Sequence, residues 1–184
     1  MKIIITAGLF GLLWLAAASA QCHTIGLYAD TGGTSCNISE TLPLTFVYVV
    51  HHIPPSGATG CSFSAPKPVC WTDATWIYDT EPYSWPGTSQ TGKTIGYGSC
   101  KTGSLHILTI IYFSHGVSEP CCLYPVLPDP WVPSGQIEVA DCDYNVVPAV
   151  GLMATVNGNS TCPCDYPVPA DETTWGGVKA LYTE

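Results

Sequence analysis

Short apolar runs alternate with clusters of Gly, Pro, Ser and Thr along most of the chain. The runs have the length of β-strands, and several are rich in β-branched and aromatic residues, which favour strands. In Cys61 to Ala65 the apolar residues alternate with serines, which is typical of a strand with one solvated face, whereas Leu105 to Phe113 is apolar on both faces. The predicted strands are Thr24 to Tyr28, Thr45 to Val50, Cys61 to Ala65, Leu105 to Phe113, Gln136 to Ala140 and Val150 to Val156. The pattern predicts an all-β domain, a β-sandwich rather than a parallel sheet.

Two segments between these runs are predicted to be loops. Trp71 to Pro86 is rich in aromatic and acidic residues, and Pro120 to Pro133 is rich in proline. A further Pro-rich segment, Pro163 to Pro169, precedes Thr173 to Tyr182, where apolar residues recur at helical spacing. This last stretch is the one predicted short helix, although it contains two glycines.

The first residues have the pattern of an export signal. Met1-Lys2 is a short basic region, Ile3 to Ala16 is apolar, and Ala18-Ser19-Ala20 matches a cleavage site for signal peptidase. We therefore predict a signal peptide over residues 1–20, a β-sandwich domain over residues 21–165, and a linker and tail over residues 166–184. The mature protein is expected to be secreted or held at the cell surface.

The charge balance narrows the choice of partners. After removal of the leader, four lysines face fourteen acidic residues, a net formal charge of −10, and the chain contains no arginine. Nucleic acids are excluded as natural partners and anionic lipid surfaces are disfavoured, because both bind through Lys and Arg. No later apolar run is long enough for a transmembrane segment. Glycans, cations and extracellular proteins remain as candidate ligands.

The chain has ten cysteines, all downstream of the leader. In an oxidising compartment they are expected to form disulfides rather than a zinc site, since no C-x-x-C pair with histidine partners is present. Proximity in sequence favours the pairs Cys22–Cys36 and Cys61–Cys70. It also favours Cys100 with Cys121 or Cys122, and Cys142 with Cys162 or Cys164, although the sequence alone does not fix the pairing.

Five sequence blocks carry a resemblance. They are IGLYADTGGTSC (25–36), GKTIGYGSC (92–100), CCLYPVLPDP (121–130), GQIEVADCDYN (135–145) and TTWGGVKALY (173–182). Their order resembles an uncharacterised family of secreted, disulfide-rich proteins from uncultured bacteria, whose members end in a tail of the TWGxVKALY type. The Val-rich strand Val47 to Val50 and the following hairpin are also similar to cohesin-like and carbohydrate-binding-module sandwiches. The second resemblance implies a jelly-roll or cohesin-like fold and a binding module.

Asp30-Thr31-Gly32 matches the core tripeptide of aspartic proteases, in which two aspartates share a proton. The chain has no second such tripeptide, and Gly33 stands where Ser, Ala or Thr is usual. A turn is the favoured interpretation. A secreted hydrolase of this kind is the alternative function.

Asp141, Asp143 and Asn145 would share one face if they lay on a strand. Their oxygen atoms suit calcium, which makes them the candidate metal ligands, but the EF-hand pattern is not met. A solvated acidic strand end is the competing interpretation. No other cofactor is predicted. The adjacent His51 and His52 would point to opposite faces of a strand, so they are not expected to form a metal site.

The aromatic segment is the main candidate for ligand binding. Its rings could stack on sugars while its acidic groups accept hydrogen bonds from hydroxyls, or the rings could instead fill the core. The candidate ligand-binding residues are Trp71, Trp76, Tyr78, Tyr83 and Trp85. We predict a non-enzymatic binding or structural protein of the bacterial exterior.

The tail is predicted to be a docking element for a sorting or surface-retention partner, because a ten-residue helix with two glycines is marginal alone. The alternative is a clasp that packs back on the sandwich. The tail residues assigned to docking are Trp175, Val178, Lys179, Leu181 and Tyr182.

Overall fold

The computed structural model describes residues 22–83 and 86–164, which form ten β-strands and no helix. The strands are β1 (Thr24–Tyr28), β2 (Asn37–Ile38), β3 (Leu44–Phe63), β4 (Ala74–Thr80), β5 (Gly87–Thr88), β6 (Gly92–Ser114), β7 (Cys122–Pro125), β8 (Ile137–Ala140), β9 (Val146–Gly151) and β10 (Met153–Val156).

Strands β3 and β6 are long and antiparallel, and they form the centre of the molecule. The two predicted strands Thr45 to Val50 and Cys61 to Ala65 belong almost entirely to the single strand β3. The Pro54-Pro55-Ser56-Gly57 stretch between them bends the strand without ending it, and the pairing with β6 shifts between Ile53 and Ala58. Gly57 makes this bend with a φ of 79°, a conformation that glycine adopts without strain.

The large sheet contains a closed circuit of hydrogen-bonded strands. Strand β1 pairs antiparallel with the first half of β3 and parallel with β9. Strand β8 pairs antiparallel with β9 and with the second half of β3. The bend in β3 allows both halves of this strand to contribute to the circuit. Strand β6 pairs with the other edge of β3 and also pairs with β4 and β5.

A smaller sheet of order β2–β10–β7 completes the sandwich. Apolar side chains of both sheets meet in one core, as expected for packed sheets that each bury one face. Fully buried members include Leu27, Val47, Phe63, Trp71, Ile110, Tyr112, Tyr124 and Val156. The prediction of a disulfide-stapled all-β sandwich is confirmed.

Both predicted loops contain a strand, so the loop predictions for Trp71 to Pro86 and Pro120 to Pro133 are wrong in part. Strand β4 lies in the first and β7 in the second. Aromatic and β-branched residues in these segments favour extended structure, and their strands pair with β6 and β10. The predicted strand Val150 to Val156 is divided at Leu152 between β9 and β10, which belong to different sheets.

Four disulfides link the described residues: Cys36–Cys164, Cys70–Cys122, Cys100–Cys142 and Cys121–Cys162. They indicate an oxidising, extracellular environment. The proposed pairs Cys22–Cys36 and Cys61–Cys70 are wrong, and so are the proposed partners of Cys100 and Cys142. Proximity in sequence failed as a guide because sheet pairing brings distant residues together, and Cys61 instead is a buried thiol.

Several sequence-based predictions fall outside the described residues. These are the signal peptide of residues 1–20, Trp85, and the tail residues Trp175, Val178, Lys179, Leu181 and Tyr182. The domain boundaries at residues 21, 165 and 166 also remain predictions. Within residues 22–83 and 86–164, no helix is long and apolar enough to cross a membrane.

Candidate binding surface

The outer side of the large sheet carries a contiguous apolar surface. Residues directly opposite one another on paired strands project to the same side. Phe46 on β3 lies opposite Ile111 on β6, which in turn lies opposite Tyr78 on β4. In the next row Leu44 lies opposite Phe113. We call the five residues Leu44, Phe46, Tyr78, Ile111 and Phe113 the apolar face.

Three aromatic side chains of the apolar face are substantially exposed: Phe46 by 42%, Phe113 by 40% and Tyr78 by 52%. Ile111 is 5% exposed and fills the space between its neighbours. The alternate residues of the same strands, among them Val47 and Ile110, point into the core and are fully buried. Strands β3 and β6 are therefore apolar on both sides in this region, and the aromatic rings of the apolar face stay exposed among the described residues.

The adjoining part of the same outer side is covered. Tyr28 and Val50 are buried there together with Cys36, and Cys164 packs against them. The turn after β1 lies over this cluster, since a Cβ on Gly33 would be 3.1 Å from a Val50 methyl and 3.0 Å from the His52 ring. Burial raises the pKa of Tyr28 to about 12, and its hydroxyl lies 2.8 Å from His52 Nε2. The Cys36–Cys164 disulfide thus fixes residue 164 beside the apolar face.

The Asp30-Thr31-Gly32 tripeptide forms the turn predicted for it. Asp30 accepts hydrogen bonds from the backbone N–H groups of Gly32, Thr34 and Ser35, and from the Thr34 hydroxyl. These donors hold the pKa of the Asp30 carboxyl below its usual value, against the effect of partial burial. The carboxylate closes the loop that covers Tyr28.

The aromatic segment does not act as one surface. Trp71 is fully buried against Tyr112 and Tyr124, so its candidate role in ligand binding is wrong. Trp76 and Tyr83 are partly buried against the core, and the Trp76 indole donates a hydrogen bond to Asp79. On β4 the bulge between Trp76 and Tyr78 causes this division, because it turns two residues that simple alternation would place on one side to opposite sides. Of the described candidates, Tyr78 alone belongs to the apolar face.

The acidic segment Asp141 to Asn145 is a turn rather than a strand end, which corrects the expectation that its three candidate ligands share a strand face. Asp141 accepts hydrogen bonds from the backbone N–H groups of Asp143 and Asn145 and from the Asn145 side chain. Tyr144 has a φ of 64°, as in a tight connection between β8 and β9. Within the described ranges no group of three or more His, Cys, Asp or Glu side chains is placed to hold a metal ion.

A buried polar network that the sequence did not reveal lies along the large sheet. His23 Nδ1 lies 3.1 Å from His51 Nε2, and His51 Nδ1 lies 2.7 Å from the Tyr97 hydroxyl. The Cys61 thiol lies next to Tyr97. Burial lowers the pKa of His51 to about 3 and raises that of Cys61 to about 12. All four groups are uncharged at neutral pH, so this network satisfies buried polar atoms and holds no thiolate nucleophile.

The network was missed because its members are far apart in sequence, and the folding of the sheet brings them together. The apolar face had a visible signal: TFVYVV and LHILTIIYF are apolar at successive positions, although a sandwich buries one side of each sheet. The second apolar side of these strands therefore had to be either covered by another element or exposed to solvent.

No family model matches the chain, and no curated protein matches it. Five chains of solved structures are similar to it, and two of them are cohesins. One is a non-cellulosomal cohesin from the hyperthermophilic archaeon Archaeoglobus fulgidus, with a TM-score of 0.47 and 13% identity, covering 77% of this chain and 94% of the cohesin. The other is a cohesin module from a family 33 glycoside hydrolase of Clostridium perfringens, with a TM-score of 0.47 and 6% identity, covering 75% of this chain and 98% of the module.

Proposed function

We propose that this protein is a non-enzymatic binding module that holds a protein partner against the apolar face. The observation that carries the proposal is the register of β3, β6 and β4, which places Phe46, Ile111 and Tyr78 in one row and Leu44 and Phe113 in the next. Contiguous exposed apolar patches of this kind mark interaction sites. Aromatic residues without neighbouring charges are typical of the centre of a protein interface.

The composition of the face favours a protein over a glycan. Its centre consists of hydrocarbon, with the Tyr78 hydroxyl as the polar atom among the five side chains. A sugar needs several hydrogen-bonding groups around a stacking ring, whereas the five side chains of the face supply one. The acidic chain, with a formal net charge of −9, suits a partner whose apolar patch has a basic rim.

The experiment replaces Tyr78 with the photo-crosslinking residue p-benzoylphenylalanine and identifies the cross-linked polypeptide by mass spectrometry. The identified protein is then purified, and its affinity for the unmodified module is measured by calorimetry. We expect Phe46→Ser and Phe113→Ser to weaken binding by about 30-fold each, the effect of losing roughly 2 kcal/mol at an interface centre.

Leu123→Ser and Met153→Ser are matched controls, because these side chains are 52% and 46% exposed and lie on the smaller sheet. They should leave the affinity unchanged. Equal losses in all four variants would contradict the proposal. A cross-link to residues 165–184 of the same chain would show that the tail covers the face instead, and an oligosaccharide whose binding depends on Phe46 would show a glycan site.

A further inference from the structure

A second surface lies at the other end of the β3–β6 pair. There, two rows of outward-facing residues run across β6, β3 and β8: Thr94, Ser62 and Glu138 in one, and Gly96, Gly60 and Ala140 in the other. They line a groove of about 280 Å³, with Val146 at its edge. The residues of the apolar face come from the opposite ends of β3 and β6, so the two surfaces are separate.

The glycine row keeps the groove open. A Cβ on Gly60 would lie 2.7 Å from the carbonyl oxygen of Ile95, so no larger residue fits without moving the backbone. With glycine at this position and at Gly96, the floor of the groove consists largely of backbone. Side chains with polar groups stand along one wall, where Ser62 and Thr94 hydroxyls are 3.1 Å apart.

Trp131 lies near this groove, and Asp129 connects it to the lining residue Ser62. The Trp131 side chain is 82% exposed, yet the indole N–H donates a hydrogen bond of 3.0 Å to the Thr91 carbonyl. A Cβ on Gly92 would be 3.1 Å from Trp131 Cδ1. Gly92 precedes Thr94 by two residues on β6 and therefore projects to the same side. The indole edge rests on the strand, and the ring is left open to solvent.

Asp129 joins the tryptophan to the groove. One carboxylate oxygen accepts a hydrogen bond of 2.9 Å from the Trp131 backbone N–H. The other accepts one of 2.8 Å from the Ser62 hydroxyl. Asp129 is 5% exposed, so the linkage is shielded from water. An exposed ring held in this way loses little conformational freedom when a ligand stacks on it.

We propose that the groove and Trp131 form a binding site for one ring of a neutral saccharide. The C–H side of a pyranose would stack on the indole, and its hydroxyls would bond to the Glu138 carboxylate and the Thr94 hydroxyl. No described residue hydrogen-bonds the Glu138 carboxylate, which leaves its acceptor capacity for the ligand.

Charge and volume define the ligand further. None of the described residues that line the groove is cationic, and the chain is acidic, so uronic and sialic acids are disfavoured as ligands. Drug-sized ligands occupy pockets of about 300–1,000 Å³. A groove of about 280 Å³ therefore suits a single sugar unit, with neighbouring units in solvent.

The test uses a set of neutral oligosaccharides, namely cellohexaose, xylohexaose, mannohexaose and chitohexaose, first immobilised on an array and then in calorimetry with the full chain. We expect binding to at least one of them. Trp131→Ala should weaken it at least tenfold, Trp131→Phe should weaken it less, and Glu138→Gln should weaken it severalfold.

Two further variants complete the design. Ala140→Leu fills the groove and leaves Trp131 in place, so it should also weaken binding, with the melting temperature of each variant confirming that it folds. Phe46→Ser on the apolar face should bind the saccharide like the wild type even where it fails to bind a protein. The proposal is overturned if the wild type binds none of the four sugars, if Trp131→Ala and Ala140→Leu bind as well as the wild type, or if an apolar peptide occupies the groove in preference to the sugars.

Discussion

At the scale of single residues, His51 is the most constrained titratable group. Its ring is fully buried, and its two nitrogens face His23 and Tyr97. Burial, and then the nearby His23 and His52, lower the pKa of His51 to about 3. In the unfolded chain the same imidazole has its ordinary pKa near 6.5. Between these values the unfolded state therefore binds more protons than the folded state.

We expect acid to destabilise the protein through this group. Below a pH of roughly 6.5 the free energy of unfolding should fall by up to about 1.4 kcal/mol per pH unit from His51 alone. His51→Gln should be less stable at pH 7, because it loses hydrogen bonds to His23 or Tyr97, but its stability should fall less steeply with acid. Urea unfolding curves between pH 7 and pH 4 measure both slopes. If the free energy of unfolding changes equally with pH in the wild type and in His51→Gln, His51 is not the source of the acid sensitivity.

Prediction from sequence was least successful for the burial of individual side chains. Trp71 and Tyr78 have similar sequence surroundings, yet one lies in the core and the other on the apolar face. A bulge between Trp76 and Tyr78 shifts the pairing of β4 with β6, so simple alternation does not assign the sides of this strand. The Asp30 turn could be predicted because all its hydrogen bonds lie within five residues.

At the scale of elements, the bend of β3 depends on Gly57. A Cβ at this position would be 2.4 Å from Cys142 Sγ and 2.7 Å from Cys100 Sγ. The disulfide between these cysteines thus packs directly on the bend. Gly103 on β6 has nearly the same backbone, with φ of 78° against 79° for Gly57, but nothing lies within 4 Å of its Cβ position.

The two glycines form a matched pair for mutation. Gly57→Ala should lower the free energy of unfolding by about 1–3 kcal/mol more than Gly103→Ala does, because both introduce backbone strain and only the first adds overpacking. Chemical denaturation of the two variants gives the difference directly. Equal losses would show that the disulfide moves aside at no cost.

A strand could be predicted from the sequence where its side chains alternate regularly between the two faces of the sheet. Strand β1 matches its predicted range from Thr24 to Tyr28. Strand β7 was hidden because Cys122–Pro125 is short and Pro-rich, and its extended form comes from pairing with β10. The bend of β3 was hidden because proline and glycine usually end a strand.

At the scale of the whole molecule, the disulfides span the sandwich at very different separations. Cys36 and Cys164 are 128 residues apart, whereas Cys100 and Cys142 are 42 apart. The sandwich and its oxidised state could be predicted from strand-like runs and cysteine number. The pairing could not, because it depends on which strands become neighbours.

Removal of the two bridges should have unequal effects. In the chain-entropy account, the double variant Cys36→Ala/Cys164→Ala should lose about 1 kcal/mol more than Cys100→Ala/Cys142→Ala, since it frees the longer loop. Thermal unfolding under identical non-reducing conditions measures the difference. If removal of Cys100–Cys142 costs more stability than removal of Cys36–Cys164, the packing of the shorter bridge on Gly57 outweighs the difference in loop entropy.

The closed circuit of strands also dictates the order in which the chain can acquire its structure. Strand β1 is made first, but its parallel neighbour β9 begins at Val146, more than a hundred residues later. During synthesis the edge of β1 that faces β9 stays open until almost the whole described chain has emerged. Contacts of such high sequence separation make folding slow, and they leave strand edges exposed to other chains in the meantime. Until the circuit closes, the open edge of β1 is therefore available for pairing with other copies of the chain.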